Sequence, residues 1–122
     1  MRTALTVFVA AVACATVLAF ASATSAASCP SGSACGWVSP NFGQPRGQWA
    51  TSVGYFGAYP QPACGNGTWS LCISSDANSG TQCTVHFWTD AGYVGVMHSV
   101  TRGTFEGALG SFNDKFESMN WC

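Results

Sequence analysis

The sequence has 122 residues, with four lysines and arginines against five acids; 7% of its residues are charged and 13% aromatic. So sparse a charge provides no basic stripe to neutralise phosphates, which argues against nucleic acid as a partner. Five tryptophans, eight phenylalanines and three tyrosines exclude a disordered chain, which buries too little apolar surface to offset its ordering entropy.

The first element is a leader. Arg2 precedes an apolar stretch from Ala4 to Ala21, broken only by Thr6 and Thr16, and small residues from Ala21 to Ala27 follow. A basic start, an apolar middle and a small-residue exit predict a cleavable secretion signal over 1–26, cut after Ala26 or Ala27. The stretch falls short of the roughly 20 apolar residues a span needs, and no basic stop follows it, so no membrane attachment is expected after cleavage. Cys14 is discarded with the leader. Residues 27–122 then form a single secreted, extracellular domain, expected to be monomeric. Its charges are Arg46, Arg102 and Lys115 against Asp76, Asp90, Glu106, Asp114 and Glu117.

Six cysteines remain: Cys29, Cys35, Cys64, Cys72, Cys83 and Cys122. An even count in a short exported chain reads as three disulfides. No C-x-x-C pair supports a zinc knuckle, and Cys83 with His86 gives a C-x-x-H without a second half. Six cysteines allow 15 pairings and the sequence does not choose among them. The most local choice is Cys29–Cys35 and Cys64–Cys72, which leaves Cys83–Cys122. On loop entropy the long bridge would contribute roughly 4 kcal/mol and the short ones about 2.5 each.

Along the mature chain, turn formers recur from Pro30 to Gly110 with short apolar or aromatic runs between them, among them Thr84–Trp88 and Val94–Val100. Short strands at even spacing predict an all-β sandwich or barrel. The stretch Gly103 to Phe112 has room for one helical turn. The chain also repeats itself. Trp37 and Phe42 bracket four residues, and 51 positions later Trp88 and Tyr93 do the same, followed by Gly95. Asn66-Gly67-Thr68-Trp69-Ser70-Leu71 is echoed 47 positions on by Asn113-Asp114-Lys115-Phe116-Glu117-Ser118. Each repeat, roughly 29–75 and 81–122, reads as a hairpin followed by a long return to a last strand, a Greek key. Two aromatics five apart can fold over the turn between them. The Asn and Asp residues can cap their own backbone in Asx-turns. Trp37, Trp69, Trp88 and Phe116 are the expected core rings.

This paired pattern resembles the βγ-crystallin repeat, in which Y/F/W-x4-Y/F/W-x-Gly is followed by N/D-N/D-x-x-S/T-S. The cysteine-bounded run Cys29–Trp37, and Val100-Thr101-Arg102-Gly103-Thr104 leading to Phe112–Lys115, resemble the exported bacterial peptidase-inhibitor family of the metalloproteinase-inhibitor type. The resemblance implies a βγ-crystallin-like sandwich of two Greek-key repeats, disulfide-bonded, that binds an extracellular metalloprotease stoichiometrically without turnover. The first copy departs from the pattern at Gln44, Gly67 and Leu71, and the second at Glu117.

An enzyme is not expected: His86, His98 and five carboxylates form no nucleophile motif or paired-acid spacing. The crystallin resemblance also implies calcium sites at the loops, each shared with the other repeat's hairpin. One combines Asn113, Asp114 and Glu117 or Ser118 with carbonyls near Ser39; the other combines Asn66 and Ser70 with the region of Asp90. Calcium takes six to eight oxygens, several of them charged. The first loop has no carboxylate, so the second is the candidate, and self-capping of both loops is the competing expectation. The other functional reading is a cell-wall, carbohydrate-binding or antimicrobial module. It would use Trp49, Tyr55, Tyr59 and Trp121 as an exposed row, whereas the inhibitor reading expects these rings scattered and buried.

Overall fold

The computed structural model describes residues 27–122, so the leader expectation and Cys14 lie outside the described residues. Seven strands follow one another: β1 Ala34–Ser39, β2 Gly43–Trp49, β3 Ser75–Asn78, β4 Val85–Asp90, β5 Val94–Val100, β6 Phe105–Glu106 and β7 Ser118–Trp121. Two single 3-10 turns, Phe56–Ala58 and Gly110–Phe112, are the helical elements among the described residues, and the second falls within the stretch Gly103 to Phe112. None is long or apolar enough to cross a membrane.

The strands form two sheets, ordered β2-β1-β3-β6 and β5-β4-β7, all pairs antiparallel. The halves exchange a piece of chain. β6, from the second half, completes the first sheet beside β3, and Val53, from the first half, bridges to Met119 at the edge of the second. Each half is thus a Greek key that cannot close without its partner.

The hairpins repeat in detail. The β1–β2 register shifts between Trp37 and Ser39, and the β4–β5 register shifts between Trp88 and Asp90, at equivalent positions. Asn41 and Phe42 turn with φ of 53° and 61°, and Gly92 and Tyr93 with 77° and 62°. Gly95 is required where it stands: its φ is 91°, and a Cβ there would meet Asp90 Oδ2 at 2.6 Å.

Between the sheets lie Trp49, Val53, Phe56, Trp69, Ile73, Val85, Phe87, Val100, Phe116 and Met119, all buried. Phe56, Phe87 and Phe116 form a stacked series with centroids 6.4 and 4.9 Å apart, and His98 continues it 5.6 Å from Phe116. Strand alternation explains one departure from expectation. On β4 the inward residues are Val85 and Phe87, so Trp88 points outward and is half-buried, its Nε1–H donating to Asn120 Oδ1 at 2.7 Å. Trp37, Trp69 and Phe116 are buried.

Three disulfides join Cys29 to Cys35, Cys64 to Cys72 and Cys83 to Cys122. The first holds the N-terminal segment over Trp37, and the last ties the start of β4 to the chain end. The middle one spans an irregular loop in the long return between β2 and β3.

Candidate functional site

That loop is heavily braced by backbone bonds and a disulfide. Pro60 and Thr68 form an isolated bridge, and the backbone N–H of Gln61 donates to Gly67 O at 2.8 Å. Within the bracket, Cys64 N–H donates to Gln61 O and Gly67 N–H to Cys64 O. Asn66 works in both directions: its Oδ1 accepts from Thr68 N at 2.9 Å, an Asx-turn, and its Nδ2 donates to Ser70 O at 2.7 Å. Trp69 then drives into the core, 5.5 Å and edge-on to Trp49. Above this anchor Gly65, Asn66 and Gly67 are exposed, and so is Leu71, at 47% and with φ 53°. The result is an exposed loop fixed at both ends by the Cys64–Cys72 bridge and in the middle by a buried tryptophan.

The loop residues singled out in the sequence fall into two hydrogen-bond systems. Ser118 Oγ accepts from Tyr93 N at 3.1 Å and donates to Asp90 O at 2.6 Å, clasping the second hairpin. Ser75 Oγ does the same for the first, accepting from Phe42 N and donating to Ser39 O at 2.8 Å. The structural counterpart of Ser118 is therefore Ser75, 43 positions earlier, and not Leu71 at the spacing of 47 expected from the sequence. Backbone bonds agree: Leu71 N donates to Phe116 O and Asp114 N to Ile73 O, a reciprocal pair about the axis relating the halves. Leu71 and Asp114 also share a positive φ, 53° and 55°. The first-half loop is Ser70-Leu71-Cys72-Ile73-Ser74-Ser75.

The acids of the second loop face these serines. Asp114 Oδ1 accepts from Ser74 Oγ at 3.0 Å and its Oδ2 from Asn113 Nδ2, while Glu117 Oε1 accepts from Ser70 Oγ at 2.9 Å. Asp114 and Glu117 thus join the two loops to each other, Asn113 supports Asp114 from within its own loop, and Ser118 joins its own hairpin. The carbonyl of Ser39, expected beside this group, is engaged by Ser75, and Ser70 meets Glu117 instead of the Asp90 region.

Of the four rings outside the repeat pattern, Trp49 is buried and Trp121 half-buried, whereas Tyr55 and Tyr59 are 49% and 41% exposed. They form neither a row of four nor the fully buried set expected for an inhibitor. The two tyrosines flank the 3-10 turn at Phe56–Ala58, whose tight curl leaves only Phe56 room to point inward. His86 is a half-buried strand histidine whose Nδ1 lies 2.9 Å from Ser99 Oγ.

Sequence reasoning passed over one cluster. Asp76 on β3, Glu106 on β6 and His98 on β5 converge from three strands. His98 Nε2 lies 2.6 Å from Glu106 Oε2 and 3.6 Å from Asp76 Oδ2. Asp76 is fully buried, and burial, reinforced by the charge of Glu106, pushes its carboxyl up to about 8. The three residues are far apart in sequence and match no motif, so only the strand exchange reveals them.

Residues 22–101 match a family model described as peptidase inhibitor family I36. No curated protein matches the sequence. Among solved structures, the fold is similar to a βγ-crystallin from Ciona intestinalis, with a TM-score of 0.58 and 20% identity over 75% of this chain and 100% of that one. It is also similar to a structure described under the evolution of the eye-lens βγ-crystallin domain fold, with a TM-score of 0.63 and 16% identity over 78% and 90%. A third is IPSE alpha-1, an IgE-binding crystallin, with a TM-score of 0.57 and 15% identity over 80% and 88%. These likenesses establish the fold, and the family match covers about two thirds of the sequence. The chain belongs to peptidase inhibitor family I36: it is a βγ-crystallin-like peptidase inhibitor, whose partner is a protease, and not an enzyme.

Proposed function

We propose that the protein is exported, by cleavage of its leader, and blocks an extracellular metallopeptidase by stoichiometric binding as a monomer. The metallopeptidase class is supported by the resemblance of Cys29–Trp37 and Val100–Lys115 to inhibitors of that type. Three disulfides in so small a domain suit an oxidising compartment.

The contact surface is the Cys64–Cys72 loop, and one observation carries that assignment: it combines exposure with bracing. A segment lying in a protease cleft loses affinity if it must first be ordered, and a pre-ordered one does not. Asn66, the Cys64–Cys72 bridge and the Trp69 anchor do that ordering within the free protein. Leu71 offers an apolar side chain beside it. A carbohydrate-binding face would need coplanar exposed rings, and only Tyr55 and Tyr59 of the four candidates are exposed.

The test is titration of a panel of zinc metallopeptidases with the disulfide-bonded protein. Residual activity of the target should fall to a plateau near one equivalent, with the inhibitor intact afterwards. Asn66→Ala should weaken inhibition while leaving the fold in place. Failure to inhibit any metallopeptidase, with co-sedimentation on chitin or peptidoglycan, would transfer the function to the wall-binding reading.

A further inference from the structure

The convergence of Asp76, His98 and Glu106 lies within the sandwich and involves no residue of the inhibitory loop. Its oddity begins with the strand pairing. Asp76 and Glu106 are directly opposite in the β3–β6 ladder, a placement in which two carboxylates repel. Asp76 also occupies the position that Met119 fills in the other half, 43 residues on, where the side chain is plain core. A carboxylate is a costly replacement for a buried methionine unless something compensates it. Among the described residues neither of its oxygens accepts a hydrogen bond from an N–H or O–H donor, and the polar groups facing it are the carboxylate of Glu106 and His98 Nε2 at 3.6 Å. Arg46 and Arg102 are committed elsewhere, to Ser28 and Gln48 and to the carbonyl of Thr81.

The ligand that fits is set by the donor atoms. One imidazole nitrogen and two carboxylate oxygens, all within 4.8 Å of one another, form a mixed N/O set on three separate strands. Zinc accepts such donors at about 2.0–2.2 Å, which places tetrahedral neighbours about 3.4 Å apart. His98 Nε2 and Asp76 Oδ2 stand at 3.6 Å. His98 and Glu106, at 2.6 Å, would have to part by about 1 Å. Glu106 has that freedom, because its side chain is 27% exposed, and the same opening leaves the fourth position to water. His98 is held in place by rings: Phe112 and Phe116 lie 4.8 and 5.6 Å from it. Calcium and magnesium prefer all-oxygen shells of six or more, so imidazole selects a zinc-like ion over either.

We propose that Asp76, His98 and Glu106 form a zinc-type divalent-cation site that cross-links the two sheets of the sandwich. The ion joins β5 of one sheet to β3 and β6 of the other, at the seam where the halves exchange chain. It neutralises the opposed carboxylates and gives the buried oxygens of Asp76 a partner. Its role is structural, separate from contact with a protease.

The experiment is zinc titration of the disulfide-bonded protein, stripped with chelator and dialysed, read by calorimetry and by the NMR signals of the imidazoles. One equivalent should bind, the His98 ring signals should move while those of His86 stay, and the melting temperature should rise. His98→Gln and Glu106→Gln should each weaken binding by about tenfold or more, and His86→Gln should leave it unchanged. Glu106 is partly exposed, so that variant tests the ligand set even if His98→Gln fails to fold. No binding up to millimolar zinc, binding at His86, or binding that Glu106→Gln leaves intact would each overturn the proposal.

Discussion

The two halves of the sandwich share a backbone and differ in what covers it. Trp37 and Trp88 occupy the same step of the same bulged hairpin, yet Trp37 is 1% exposed and Trp88 is half-buried. Both point away from the central core. Trp37 is covered by Phe42, at 5.0 Å edge-on, and by Ala27 and Cys29 of the segment held by Cys29–Cys35, whereas Trp88 is only half-buried and donates its Nε1–H to Asn120 Oδ1. The loops differ likewise. The first half places Cys72 and Ile73 where the second has Lys115 and Phe116, and Leu71 and Ser74 where the second has the acids Asp114 and Glu117. Equivalent backbone therefore does not mean equivalent chemistry: the first half holds two of the three disulfides and the braced, exposed Cys64–Cys72 loop, and the second holds the third disulfide and contributes most of the aromatic stack.

The largest effects should come from the pair that the backbone makes equivalent and the packing does not. Ile73 and Phe116 are both fully buried, but Phe116 touches Phe87, Phe112 and His98 at once. Phe116→Ala should cost about 3–5 kcal/mol and Ile73→Ala about 2–5, with Phe116 the more damaging. Denaturant melts of the two variants measure the difference. Equal losses would mean that the stack adds nothing beyond burial.

Next in size is the contrast between Asp76 and Met119. Folded Asp76 keeps its proton to about pH 8, whereas an unfolded chain releases it near the ordinary value of 3.8. The folded state therefore holds the extra proton between those values and loses stability as pH rises through the window. The groups facing it are Glu106 on the neighbouring strand and His98 from the opposite sheet. In chelator, Asp76→Asn should flatten the decline and be more stable than the parent at pH 8, by an amount on the order of a few kcal/mol. Melting temperatures of both proteins from pH 4 to 9 decide it, and parallel curves would show that the acid does not titrate in this range.

Much of this architecture was legible in the sequence because hairpins are local. Trp37–Phe42 and Trp88–Tyr93 carry their spacing in a single turn, and the bulge and positive φ follow from it. Sequence spacing misplaces the first-half loop by four residues because Asn66 supplies an amide, while the true counterpart, Ser70-Leu71-Cys72-Ile73-Ser74-Ser75, has no Asn or Asp and keeps only the two closing serines. The outward turn of Trp88 was hidden because period two along β4 lets either Phe87 or Trp88 face inward, and only pairing with β5 and β7 decides. Asp76, His98 and Glu106 were invisible because strand exchange, a long-range event, brings them together.

The smallest difference concerns the two closing serines, and it tests whether the halves are truly equivalent. Each hydroxyl accepts one backbone N–H of its hairpin and donates to one carbonyl, so each spans two orphan groups of a tight turn. Truncation to alanine removes both bonds and leaves those groups unpaired, a loss of about 1–3 kcal/mol. The surroundings should then separate the two variants. The first hairpin retains Asn41 N donating to Gly107 O at 2.7 Å and the Phe42 ring against Trp37 and Phe105. The second retains Gly92 N donating to Gly54 O, with Tyr93 half-buried. Ser118→Ala should accordingly cost more than Ser75→Ala, and amide exchange at Tyr93 should accelerate more than at Phe42. The reverse order would mean that aromatic cover over the first hairpin adds no stability of its own, and that the serine clasp alone holds each fold-over in place.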